Sequence, residues 1–147
     1  MNRTRSVHEV AFRLAFDMQT QMAGKVDDFG AELTPLKMRM LRTIWSSNKV
    51  SAQDIAQVVK RDKAQVARLV EDLCEQELVH RKVDPNDRRS KLLYLTERGE
   101  QIFSSVEEVE KAFSSQLIKG IRKSDLGVFF AVADAISENL KSMNTGG

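Results

Sequence analysis

Residues 51–100 read SAQDIAQVVKRDKAQVARLVEDLCEQELVHRKVDPNDRRSKLLYLTERGE. Ser51 with Asp54 three positions on has the spacing of a capping box, in which each side chain accepts the other residue's free N–H, so a short helix opens there. Its apolar positions are Ile55, Val58 and Val59. Asp62 caps a second helix, in which Val66, Leu69, Val70, Leu73 and Cys74 form one apolar stripe while Ala64, Gln65, Arg68, Glu71, Asp72 and Glu75 point the other way. After Glu77 the period shortens. LVHRKV and LLYL are short and rich in β-formers, and the tract DPNDRRSK between them is rich in turn formers, which predicts a β-hairpin.

Two helices three or four residues apart, followed by a ribbon, make a winged helix-turn-helix. Upstream, Thr34-Pro35 offers an N-cap and a proline at the first helical position, for a helix that carries Leu36, Met40, Leu41, Ile44 and Trp45 toward a core and ends in SSNK. Before it, Val7, Val10, Ala11, Leu14, Met18 and Met22 recur at three- and four-residue steps, with Phe12 and Phe16 widening the stripe, and AGKVDDFGAE reads as a connection. Downstream, Thr96 begins a long helix marked by Ile102, Phe103, Val106, Val109, Phe113 and Leu117 that stops near Gly120. Ser124 or Asp125 caps the last helix, with Leu126, Phe129, Phe130, Ala133, Ile136, Leu140 and Met143 as its stripe and a fraying tail SMNTGG. The expected fold is mainly α with a small β component (α+β): a single domain over 1–147, a winged lobe over 34–98, and dimerisation helices over 6–23 and 98–143.

The 147 residues are 41% hydrophobic, enough for one core without disulfide staples, and the single cysteine excludes an internal disulfide framework. MNRTRSVHEV is basic but lacks the roughly 7–15 apolar residues of a signal core, and no run of about 18 apolar residues could span a bilayer, so a soluble cytoplasmic protein is expected. The net charge of +2 hides an asymmetry. Residues 37–98 hold 14 Lys/Arg against 9 Asp/Glu, net +5, and the flanks 9 against 12, net −3. A basic middle suits a polyanion, and acidic flanks suit a part held away from it.

In a winged helix-turn-helix the second helix of the turn enters the major groove with its N-terminal residues at the base edges, which makes Ser51, Lys60, Arg61, Lys63, Gln65 and Arg68 candidate DNA contacts. Gln65 has the chemistry to read adenine bidentately, and Arg68 to read guanine or hold a phosphate. Glu71, Asp72 and Glu75 lie at the other end of that helix, where phosphate would repel them. At the hairpin tip Arg88, Arg89 and Lys91 have little core to serve and suit the minor groove, while Asp87 can orient an arginine fork. The competing reading of the helix alone is an ordinary amphipathic helix with a solvated polar face.

LTPLKMRMLRTIW, then the stretch quoted above, resemble the MarR/SlyA family of bacterial transcription regulators over roughly residues 34–100, most sharply at Asp87-Arg88-Arg89, Leu95-Thr96 and Gly99. The resemblance implies a homodimer with intertwined terminal helices and two winged lobes on double-stranded DNA carrying an inverted repeat. By the same matching, Arg89 is similar to the family's minor-groove arginine, Asp87 to its orienting carboxylate, and Gln65 and Arg68 to recognition-helix contacts. The chain departs from the pattern at Glu77, where the family usually has glycine, and at Ala64 and Ala67, where Ser or Pro and a hydroxyl residue are common. Independently of the family, the terminal stripes exceed what a lobe of about 60 residues can cover, which also points to a homodimer, the competing reading being a monomer in which the stripes pack on one another.

Many members of that family respond to small aromatic or phenolic anions, others to metals or oxidants. Trp45, Phe12, Phe16 and Phe29 could stack an aromatic ligand, though core packing accounts for them equally. His8, His80 and Cys74 are too few for a zinc site of four N/S ligands, so no metal and no cofactor are expected. Cys74 reads as a small core residue, and His80, alternating with Lys82, as solvent-facing near phosphate. The seven glycines form neither a dinucleotide fingerprint nor a phosphate loop, no nucleophile–base set is present, and an enzyme is not expected. The function expected is a sequence-specific DNA-binding regulator, a repressor acting as a homodimer on a palindromic operator, for which the resemblance implies release by a small aromatic or phenolic ligand. The alternatives are a winged-helix protein-interaction module and an activator that displaces another repressor.

Overall fold

A computed structural model describes residues 5–145, without the side chains of Asp28 and Thr145. The elements in chain order are α1 (Val7–Val26), a 3-10 turn (Asp27–Phe29), α2 (Pro35–Ser46), α3 (Ala52–Val59), α4 (Lys63–Glu75), β1 (Val79–Asp84), β2 (Asp87–Leu95), α5 (Glu97–Leu117) and α6 (Lys123–Thr145). The chain divides into two compact units, one running to Lys111 and the other starting at Ala112. The mainly α winged helix-turn-helix of the sequence reading is the fold that forms.

Local capping sets five of the helix starts, with Ser6 accepting the Glu9 N–H at 3.1 Å ahead of α1 and Thr96 that of Gly99 at 2.9 Å ahead of α5. Thr34 accepts the Lys37 N–H at 3.2 Å ahead of Pro35, Ser51 and Asp54 complete their reciprocal box, and Asp62 accepts the Gln65 N–H at 2.9 Å. These groups would otherwise be orphan donors of a first helical turn. The first unit's core gathers Met40, Leu41 and Ile44 of α2, Ile55 and Val59 of α3, Val66, Val70 and Leu73 of α4, and Ile102, Phe103 and Val106 of α5.

Several expectations are corrected. α1 does not stop at Met22 but runs to Val26, whose side chain is buried, so AGKV is its last turn rather than a connection. In α3 the inward face is Ile55, Ala56 and Val59. At about 100° per residue Val58 lies at the edge of that face, and it stays 45% exposed. Trp45 is likewise marginal, 51% exposed with its ring tilted on Phe103 at 5.6 Å. α6 starts after Arg122, whose carbonyl accepts the Leu126 N–H at 3.1 Å, so neither Ser124 nor Asp125 is its cap; the Asp125 carboxylate instead pairs with the Arg122 guanidinium at 2.9 Å. Residues 142–145 are helical rather than frayed, and Gly146 and Gly147 lie outside the described residues, as do the first four residues of the basic start.

The hairpin also differs. DPNDRRSK was expected as one long turn, yet only Pro85 and Asn86 connect the strands, and the Asp84 carboxylate holds the Asn86 N–H at 2.9 Å as an Asx turn. Val83 faces Lys91 and Asp84 faces Asp87, so Arg88, Arg89 and Ser90 have no opposite residues on β1 and form a bulge in β2. Ser51 adds a one-residue bridge to Leu92, which fastens the start of α3 to the ribbon. No helix among the described residues is long and apolar enough to cross a membrane.

Candidate nucleic-acid interface

Lys60, Arg61 and Lys63 surround the turn between α3 and α4. Lys60 closes α3 in the left-handed region at φ +54°, the Arg61 N–H donates to Ala56 at 3.2 Å, and Lys63 opens α4. Gln65, half-buried, and Arg68, exposed, follow on the first two turns of α4. Among the described residues, none of Lys60, Arg61, Lys63, Arg68, Arg88, Arg89 and Lys91 forms an ion pair within the chain. All seven are exposed, so their charge is directed to solvent.

The other end of α4 is arranged differently from the sequence reading. Glu71 pairs with Arg81 of β1 at 2.9 Å, and Asp72 turns back to pair with Lys37 of α2, leaving Glu75 as the outward carboxylate. Two of the three acids are therefore neutralised, and the contrast in charge between the two ends of α4 is smaller than the sequence alone suggests.

A cleft of about 370 Å³ opens between the start of α3, the middle of α4 and the ribbon. Ser51, Arg89 and Lys91 line it together, joined by Gln53, Arg81 and Ala67. Ser51 is held there by its own capping box and by its bridge to Leu92. Lys60, Arg61, Lys63, Gln65, Arg68, Asp87 and Arg88 lie outside this cleft. Gln53 and Arg81 were not singled out from sequence; an exposed polar position in the first turn of α3 was the available signal for Gln53, and nothing local marked Arg81.

Asp87 does not grip a guanidinium. Its carboxylate accepts the backbone N–H of Arg89 at 3.1 Å, so it fixes the main chain of the bulge rather than the arginine fork. His80 is half-buried and stacks on Tyr94 across the ribbon at 5.6 Å, with the Lys82 ammonium 5.3 Å from the Tyr94 ring centre, instead of standing free in solvent. Burial pushes the Cys74 thiol above its ordinary value despite the opposing charge of Arg81, which suits an inert packing residue. The four aromatics weighed as a ligand site are not gathered within the chain: Phe12 and Phe16 are exposed on α1, Phe29 packs on the core, and Trp45 meets Phe103. No group of three or more metal-ligating side chains occurs among the described residues.

Residues 33–91 match the model of the MarR family. The HTH-type transcriptional regulator YdgJ of Bacillus subtilis is 21% identical over 107 residues, covering 73% of this chain and 65% of its own length, so the match spans slightly less than two thirds of that relative. A crystal structure of MarR superposes with TM-score 0.79 at 20% identity over 100% of this chain and 99% of that one. A Staphylococcus aureus MepR–DNA complex gives TM-score 0.80 at 18% identity over 92% and 96%.

Proposed function

We propose that this chain, of which residues 33–91 match the MarR family model, is a homodimeric, sequence-specific DNA-binding repressor that occludes a promoter in the cytoplasm. One observation carries the reading: the seven unpaired cations stand on the exposed half of α4, on the turn before it, and on the bulge of the wing and the residue that follows it on β2. Unpaired Lys and Arg are the groups that neutralise phosphate and release counterions. Lys63, Gln65 and Arg68 would face base edges in the major groove, and Arg89 the minor groove. Ser51, Lys60, Arg61, Arg88 and Lys91 would hold phosphates, with Asp87 fixing the tip. The similar MepR has been solved on DNA, which supports the same partner here.

A second copy of the chain is supported by the terminal helices. Among the described residues of α6 none is buried, and Phe129 and Phe130 are 56% and 58% exposed. On α1, Val7, Phe12, Leu14 and Phe16 are exposed as well. A two-fold dimer places half-sites about 10 bp apart, so the operator is an inverted repeat. Release by a small aromatic anion is part of this reading, at a site completed between protomers.

The test is selection of sites from random duplex DNA at near-physiological salt, with Arg89→Ala as control. An enriched inverted repeat with centres about 10 bp apart, lost in the variant, supports the regulator. Weak binding that selects no sequence and vanishes with salt overturns it in favour of a protein-interaction module.

A further inference from the structure

The segment 30–34 between the 3-10 turn and α2 is fastened to the far end of α4. The Glu32 N–H donates to Gln76 Oε1 at 2.8 Å, and Gln76 Nε2 donates back to the Glu32 carbonyl at 3.2 Å. Lys37, only 5% exposed, donates to the same carbonyl at 3.4 Å and pairs with Asp72, one turn before Gln76 on α4. Gln76 Nε2 lies 3.5 Å from Asp72 Oδ2, closing the network. The Arg98 guanidinium donates to the Gly30 carbonyl at 3.1 Å and fastens the same segment to α5.

Burying a lysine against a carboxylate is a poor route to stability, because an apolar pair of similar volume does as well or better. Its effect is directional: both charges and the reciprocal amide bonds are satisfied in one geometry. We propose that Lys37 and Gln76 are positioning residues for DNA binding, stapling the segment that leads from α1 into α2 to the C-terminal end of α4 so that the orientation of α1 sets that of the recognition helix. The proposal rests on the DNA-binding reading above. α4 is about 20 Å long, so a tilt of roughly 5° at its anchored end moves Lys63 and Ala64 by about 1.5 Å, which exceeds the tolerance of a hydrogen bond to a base edge. Phosphate contacts by long, flexible side chains survive such a shift, whereas base contacts do not.

Two variants each remove one half of the staple without leaving an unpaired buried charge: Gln76→Ala takes away the reciprocal amide bonds to Glu32, and the double Lys37→Met/Asp72→Leu takes away the ion pair and the lysine's bond to the Glu32 carbonyl. Orientation is read directly from the distance between spin labels at Lys25→Cys and Ala64→Cys in a Cys74→Ser background, diluted with unlabelled protein so that one protomer is measured. Each variant is expected to broaden that distribution and to lower affinity for the selected operator by about tenfold, while affinity for random duplex and its salt slope stay within twofold. Should the double variant fail to fold, Gln76→Ala alone decides. An unchanged distance distribution, or a broadened one with undiminished operator affinity, overturns the proposal. A broadened distribution in a protein whose wild type selects no duplex keeps the staple and sinks the DNA-binding reading instead.

Discussion

Leu78 and Gly99 meet backbone to backbone: the Leu78 carbonyl occupies the space that a Cβ at position 99 would need. That carbonyl accepts the Thr96 N–H at 3.0 Å, while the Thr96 hydroxyl donates to the Glu77 carbonyl and accepts the Gly99 N–H at 2.9 Å. The end of α4, the start of the wing and the start of α5 are thereby joined in one knot. The triplet Leu95-Thr96 and Gly99, which carried much of the sequence resemblance, is explained by packing rather than by DNA contact.

Gly99→Ala is expected to destabilise the fold by about 1–3 kcal/mol or more, because the methyl group meets main chain that cannot rotate away. Urea denaturation at matched protein concentration checks this. A midpoint equal to wild type would mean that α5 shifts freely relative to the ribbon.

Glu77 ends α4 at φ +59°, with the Leu78 N–H on the Leu73 carbonyl and the Glu77 N–H on that of Cys74, both at 3.0 Å. This is a Schellman cap built without glycine. Left-handed backbone costs a side-chain-bearing residue about 1–2 kcal/mol, offset in part by glycine's larger entropy loss, so Glu77→Gly is expected to gain about 0.5–1 kcal/mol. Glu77→Val should lose stability in the same thermal or urea assay, since a β-branched residue tolerates this region least.

Asp87 separates two accounts of the wing. If its carboxylate fixes the bulge through the Arg89 N–H, Asp87→Asn retains the acceptor and binds operator nearly as wild type, whereas Asp87→Ala loses about five- to tenfold. Equal losses in both variants would restore the role of orienting an arginine fork. Operator titrations at one salt concentration distinguish them.

Cys74 is expected to react with iodoacetamide more slowly than a free cysteine at neutral pH, because burial raises its thiol above the ordinary range and depletes the thiolate. Its contribution to stability is complete below the unfolded thiol's titration and is lost as pH climbs through the raised value. Rates measured from pH 7 to 10 should rise late. A rate at pH 7 matching or exceeding that of a free thiol would make Cys74 a sensor.

The sequence by itself determined the elements and their order. Thr34, Ser51 and Asp62 act on N–H groups three residues away, so their caps form whatever the rest of the chain does, and the change of period after Glu77 marks the ribbon by the same local logic. Tertiary structure alone decided which charges remain free. Asp72 looks identical to Glu75 in a helical pattern, yet its partner Lys37 lies 35 positions earlier, and Arg81 removes Glu71 across a strand. The bulge that frees Arg88 and Arg89 depends on the pairing of β1 with β2, which no turn-forming tract specifies. Local hydrogen bonds are legible because their partners are fixed by the covalent chain. Long-range pairs are not, because only the packed fold determines which of many equivalent charges is brought within reach.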